Sequence, residues 1–172
     1  MPFPEQAMRK HHYLSGLLTF AEEAGALFGG QGEMVEVGSF VGESALVFAR
    51  HFASVTCVDP WECHDDWSYD MAEVEREFDS RTAAVARITK LKAFSVEAAR
   101  LFPDGSLDFV YIDALHEYEP VRSDIDAWLP KVRPGGAMGG HDYDWPSVRR
   151  AVDETFPRVE LYADTSWLVP RV

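Results

Sequence analysis

Met34-Val35-Glu36-Val37-Gly38-Ser39-Phe40-Val41-Gly42-Glu43-Ser44 is the stretch that decides the fold. An apolar run of strand length stops at one glycine, and a second glycine precedes a helix-forming segment. Gly38 allows a sharp backbone turn, and Gly42 lets a helix begin close to a ligand. Strand, glycine turn and helix open an α/β unit. A dinucleotide fingerprint would need glycine at positions 40 and 43 as well, where Phe40 and Glu43 stand. An acid at the helix start also repels phosphate. A pyrophosphate cradle is therefore disfavoured. Glu36, inside the apolar strand, is a candidate functional carboxylate, because buried acids are rare unless partnered.

Outward from this stretch the pattern repeats. Upstream, Leu14, Leu17, Leu18, Ala21 and Ala24 recur at helical spacing and predict a helix over 8–27, stopped by Gly29, Gly30 and Gly32. Downstream, a helix over 43–52 leads to a second strand over 54–59, ended by Pro60. A polar and aromatic loop over 61–70 precedes a long helix over 71–88. A third strand is expected over 91–94, a short helix over 96–102 and a strongly β-forming fourth strand over 107–113. A helix over 120–129, a glycine-rich fifth strand over 136–140 and a helix opened by Pro146 follow. The last two strands, 159–163 and 167–169, are separated only by Asp164-Thr165-Ser166 and must form an antiparallel hairpin. The expectation is an α/β, doubly wound, Rossmann-like mixed sheet of seven strands. With 172 residues and no linker, one domain over 1–172 is expected, with an N-terminal helical segment (1–32) and a binding core (33–172).

Composition narrows the function. Acidic residues outnumber basic ones, 29 to 16, and the formal charge is −13. That field repels nucleic acid and anionic membrane, and no basic stripe relieves it. No apolar run is long enough to span a bilayer, and the N-terminus lacks a signal-peptide stretch. The two cysteines, Cys57 and Cys63, form neither a disulfide framework nor a zinc knuckle. Cys57 reads as a core thiol. A cytoplasmic location is expected, with a small-molecule partner and a homo-oligomer allowed.

Ligands of doubly wound sheets bind beyond the carboxyl ends of the strands. After the first strand stand Gly38, Ser39, Phe40 and Gly42. After the second stands Asp59, about 20 residues on, where an acid can hold two ribose hydroxyls, followed by Pro60 and Trp61. After the third come Ser95 and Val96; this position faces an adenine edge in nucleoside-binding sheets, and Ser95 is also a good helix N-cap. After the fourth come Asp113 and His116, and after the fifth His141, Asp142 and Tyr143. Asp113 and Asp142 are expected side by side, where carboxylates repel unless a proton or a cation such as Mg²⁺ sits between them. Two helix caps in solvent is the simpler alternative. The aromatic loop (Trp61, His64, Asp65, Asp66, Trp67, Tyr69) suggests a lid or a wall of a second pocket, or packing onto the following helix.

The Glu-x-Gly-x-x-x-Gly loop at 36–42, Asp59, and Asp108-Phe-Val-Tyr-Ile-Asp113-Ala-Leu-His116-x-Tyr118-Glu119 resemble class I methyltransferases. Asp113…His116 with Pro134-Gly135-Gly136…Gly140-His141-Asp142-Tyr143 is similar, more narrowly, to the branch of macrolide sugar O-methyltransferases and relatives of catechol O-methyltransferase. The likeness covers residues 33–170. It implies S-adenosylmethionine as donor, bound by Glu36, Gly38, Ser39, Phe40, Gly42, Asp59, Pro60, Trp61, Ser95, Val96 and Asp113. It implies Mg²⁺ on Asp113 and Asp142, and catalysis by His116 as base with Asp113. His141 stands where the sugar enzymes place a further acid, and Tyr143 where the catechol enzymes have asparagine. The expected activity is O-methylation of a small-molecule hydroxyl. A nicotinamide oxidoreductase and a non-catalytic methyltransferase-like subunit are the other readings.

Overall fold

A computed structural model describes residues 11–62 and 69–172. Helix α1 (His11–Ala26) leads into strand β1 (Glu33–Val37), α2 (Glu43–Phe48), β2 (Ser54–Asp59), α3 (Met71–Thr82) and β3 (Ile88–Lys92). Then come α4 (Ser95–Ala99), β4 (Leu107–Ile112), α5 (Tyr118–Trp128), β5 (Val132–Gly140), α6 (Pro146–Thr155), β6 (Glu160–Leu161) and β7 (Trp167–Val169). The seven strands make one sheet in the order β3-β2-β1-β4-β5-β7-β6. The first five run parallel, and β7 is antiparallel to both β5 and β6, the expected closing hairpin.

Each face of the sheet carries its own core. On one, Phe20 of α1 meets Phe48, Phe109 and Tyr111, and Phe52 stacks on Phe109. On the other, Val35, Val58, Val110 and Ile112 lie under Ile125 and Trp128 of α5 and Val148 and Val152 of α6. Burying each such side chain contributes about 1.5–3 kcal/mol, and two covered faces explain why the central strands read as continuous apolar runs.

Several boundaries differ from expectation. α3 stops at Thr82, not at 88, and β3 begins at Ile88. Residues 83–87 are good helix formers, but Val55 donates its N–H to the Arg87 carbonyl and Ile88 pairs with Val55, so the edge of the sheet claims the segment. β5 reaches back to Val132, because it rejoins β4 at Leu107 beyond an irregularity over 133–136, where Gly135 has φ 81°. α4 begins at Ser95 with Phe94 as its N-cap, so Ser95 does not cap it. Cys57 is a fully buried free thiol. Cys63, His64, Asp65, Asp66 and Trp67 of the aromatic loop, and residues 8–10 of the first helix, lie outside the described residues. No described helix is long and apolar enough to cross a membrane.

Candidate active site

The carboxyl ends of the central strands are tied together by main-chain hydrogen bonds. Gly38 donates to Val58 (2.8 Å), Asp113 to Val37 (2.8 Å) and His141 to Ile112 (3.1 Å). Gly38 sits at φ 87°, and a Cβ there would lie 2.1 Å from the Asp113 carbonyl oxygen. Only glycine fits where these two strand ends approach so closely.

Beyond these ends lies a cavity of about 410 Å³, a size suited to a small organic ligand. Gly38, Phe40, Asp59, Pro60, Ser95, Val96 and Asp113 line it, with Phe94, Leu115, Pro120 and Asp124. Four expected contacts lie behind the wall instead. Glu36 is fully buried and stands opposite Cys57 in the β1–β2 register. Burial, chiefly, and the Glu36 charge push that thiol far up. Ser39 is buried against the same pair. A Cβ on Gly42 would meet the Phe78 ring at 3.0 Å and Thr82 at 3.1 Å, so this glycine serves helix packing, not approach to a ligand. Trp61, at φ 46°, turns inward onto Phe78 (ring centroids 4.8 Å) and donates its indole N–H to the Phe40 carbonyl (2.8 Å).

Asp59 organises this loop. One carboxylate oxygen accepts from the N–H groups of Ser39 (3.1 Å) and Phe40 (2.9 Å), and the other from Trp61 (2.7 Å). Burial raises its pKa, and the three amides hold the rise back. The carboxylate thus faces the cavity while fixing the loops that follow β1 and β2.

At the other end stands a cluster of acids and imidazoles. Asp142, at φ 57°, follows β5 and turns its carboxylate between two histidines. Its Oδ2 lies 2.9 Å from His116 Nε2 and 3.1 Å from His141 Nδ1. His141 Nδ1 is also 3.8 Å from Asp113 Oδ1, and its Nε2 is 4.0 Å from Oδ2 of the fully buried Asp164. Burial raises the Asp142 pKa, but the two imidazoles overcome it and hold the carboxyl well below the usual range. For His116, burial lowers the pKa; the Asp142 and Asp113 charges outweigh it, and the net shift is upward from 6.5. Glu117 adds to the rise. The His116 ring rests on the half-exposed Trp145 (centroids 5.1 Å), and its carbonyl accepts from Ser147 Oγ (2.5 Å). Tyr143 points elsewhere, donating to Asp153 (2.6 Å).

The structure brings Asp113, His116, His141 and Asp142 together, and adds two groups, Trp145 and Asp124, that the strand-end reading leaves out. His141 joins Asp113 and Asp142 as a third donor, with ligand atoms within 4.8 Å of one another. Trp145 backs His116. Asp124 lines the cavity from α5. Its signal is in the sequence: Val121, Ile125 and Trp128 form the buried face of α5, and Asp124 interrupts it.

A family model described as a methyltransferase domain matches residues 35–143. Protein y4gI of Sinorhizobium fredii (strain NBRC 101917 / NGR234), described as uncharacterised, is 27% identical over 117 residues, 63% of this chain; the chain spans 13% of y4gI. Among solved structures, an rRNA methylase from Streptococcus thermophilus superposes with a TM-score of 0.69 at 12% identity, covering 96% of this chain and 99% of that one. The O-methyltransferase NovP gives 0.68 at 18% identity, covering 90% and 79%. At these identities the two structures share the fold.

Proposed function

Since the chain belongs to this methyltransferase-domain family, we propose that it transfers the methyl group of S-adenosylmethionine to a hydroxyl of a small-molecule acceptor. One observation carries the reading: Asp113 lines the cavity with Asp59 and Ser95 and also belongs to the cluster that holds His141 and Asp142 and acts on His116. A nucleoside site and a base are then neighbours. The family assignment sets the nicotinamide reading aside, in keeping with Phe40 and Glu43 where that fingerprint needs glycine.

S-adenosylmethionine, when bound, supplies an activated methyl on a sulfonium; the protein's task is alignment and deprotonation. Gly38 and Phe40 would border the donor, and Asp59 and Ser95, which line the same cavity, would offer polar groups to its nucleoside half. The Asp142 carboxylate, 2.9 Å from His116 Nε2, raises the basicity of the ring, which suits His116 to take the acceptor proton. Trp145 fixes the plane of the ring. The acidic surface disfavours an anionic acceptor.

Two carboxylates and one imidazole also fit a divalent cation, which Asp113, Asp142 and His141 would hold. Such an ion would lower the pKa of the acceptor hydroxyl. The nitrogen donor makes the set less selective for Mg²⁺ than an all-oxygen one. The defining test is calorimetry with S-adenosylhomocysteine, with NAD as competitor. Saturable binding untouched by NAD is expected. No heat and no thermal stabilisation at millimolar ligand would remove the reading.

A further inference from the structure

We propose that the buried Asp164 aims His141 at Asp113 and Asp142, and that this makes the cluster a site for a divalent transition ion rather than for Mg²⁺. The inference rests on the cation reading given above. It names the residue that sets up the nitrogen donor and the class of ion that this donor selects.

Asp164 lies in the turn between β6 and β7 and is 0% exposed. Helix α1 seals it in: a Cβ on Gly16 would lie 2.6 Å from both Cβ and the backbone nitrogen of Asp164. A carboxylate enclosed in this way is costly unless its oxygens are satisfied inside. Ser166 donates its N–H to Oδ1 (3.2 Å) and its hydroxyl to Oδ2 (2.9 Å). That hydroxyl has one proton, so Tyr111, 3.1 Å from the same Oγ, is the donor of its pair with Ser166. Tyrosine, serine and aspartate thus form a directed chain that ends at Oδ2. The same oxygen stands 4.0 Å from His141 Nε2.

Main-chain bonding holds the two residues in register. The Tyr143 N–H donates to the Thr165 carbonyl (3.0 Å), which ties the β6–β7 turn to the loop after β5. With Nε2 turned to Asp164, Nδ1 is presented on the other side of the ring. There it lies 3.1 Å from Asp142 Oδ2 and 3.8 Å from Asp113 Oδ1. Donors at right angles on one ion, each about 2.1 Å from it, lie roughly 3 Å apart, so the Asp142 spacing suits a shared ion. A carboxylate behind a ligating histidine fixes which ring nitrogen binds and strengthens it as a ligand. Mg²⁺ takes oxygen donors, whereas an imidazole in the set favours transition ions.

The test is calorimetry on the full chain, stripped with chelator and titrated with Co²⁺ or with Mg²⁺ alone, with the visible absorption of Co²⁺ recorded alongside. The wild type should bind Co²⁺ more tightly by about a hundredfold or more. His141→Asp, which makes the set all-oxygen, should cut that preference below about tenfold and change the Co²⁺ absorption. Asp164→Asn still accepts from Ser166. It should lose about 10–100-fold in Co²⁺ affinity and change the Co²⁺ absorption, while S-adenosylhomocysteine affinity is kept. If Asp164→Asn does not fold, Ser166→Ala takes its place: it leaves the charge, removes the hydroxyl that aims Oδ2, and should weaken Co²⁺ binding about three- to tenfold. Equal Co²⁺ and Mg²⁺ affinities in the wild type overturn the proposal, and so does a preference that His141→Asp leaves intact. Unchanged Co²⁺ affinity and absorption in the Asp164 variant, or unchanged Co²⁺ affinity in Ser166→Ala, makes Asp164 structural and also overturns it. If neither ion binds the wild type, the cation reading falls and this inference with it; S-adenosylhomocysteine binding by the same protein then shows that the methyl-transfer reading stands apart.

Discussion

Replacing Gly38 with alanine separates two costs that glycine avoids. The new Cβ would sit 2.1 Å from the Asp113 carbonyl oxygen, 2.6 Å from its carbonyl carbon and 2.7 Å from Ala114 Cα. These are backbone atoms, so no side-chain rotation relieves the clash. Overpacking of this kind costs about 1–3 kcal/mol. The positive φ adds about 1–2 kcal/mol. Together they remove about 2–5 kcal/mol from a total of about 5–15 kcal/mol. Gly29→Ala is the control: φ is 59°, with no atom within 4 Å of the added carbon, so only the backbone cost of about 1–2 kcal/mol applies. Urea unfolding of both variants measures the difference, and thermal unfolding should follow at roughly 2–4 °C per kcal/mol. Relief of the clash requires the Asp113 segment to move away from β1, so Gly38→Ala should also lose affinity for S-adenosylhomocysteine while Gly29→Ala keeps it. Equal destabilisation of the two variants, or undiminished affinity in Gly38→Ala, would refute the reasoning.

His116→Ala should lower turnover by about a hundredfold or more and leave S-adenosylhomocysteine affinity unchanged by calorimetry. The wild-type rate should fall as pH drops through the His116 pKa, with the acid limb centred above 6.5 because the pKa is raised, and the limb should vanish in the variant. Asp142, lowered in the fold, stabilises at pH above its ordinary 3.8, and raised His116 stabilises at pH below 6.5. Asp142→Asn should therefore cost most near pH 5 and progressively less as pH rises through the folded His116 pKa, read by urea unfolding across pH. Asp59→Ala strands three backbone N–H groups at about 1–3 kcal/mol each, so unfolding should shift together with ligand affinity; an affinity loss at full stability would contradict the loop-organising role. Exhaustive chelation should abolish turnover and added divalent cation restore it, whereas full activity after chelation would leave His116 as the sole activator.

The parallel core is legible because Val35, Val37, Val55, Val58, Val110 and Ile112 sit in unbroken apolar runs that end at glycine or aspartate. β3 is not: Ile88-Thr89-Lys90-Leu91-Lys92 is an edge strand with one neighbour and a half-exposed surface, so no run marks it. Asp113 and Asp142 are legible as ends of adjacent strands. The meeting of Asp142 with two imidazoles depends on its positive φ, which no residue pattern announces. Trp61 reads as a loop aromatic, yet its positive φ and the carbonyl of Phe40 send it into the core. Glu36 invites a functional reading because a buried acid is rare; what the sequence does not announce is that its register partner is Cys57 and that it stands behind the cavity wall.

The three main-chain bonds across the tips of β1, β2, β4 and β5 divide labour between frame and fittings. They depend on no side chain except the absence of one at Gly38, so substitution elsewhere can change what the cavity admits without moving the positions from which Asp113, His141 and Asp142 project. Sequence drift in the flanking helices and loops is then free to retune acceptor choice, while inheritance of the frame needs little more than a tolerated glycine and intact strands.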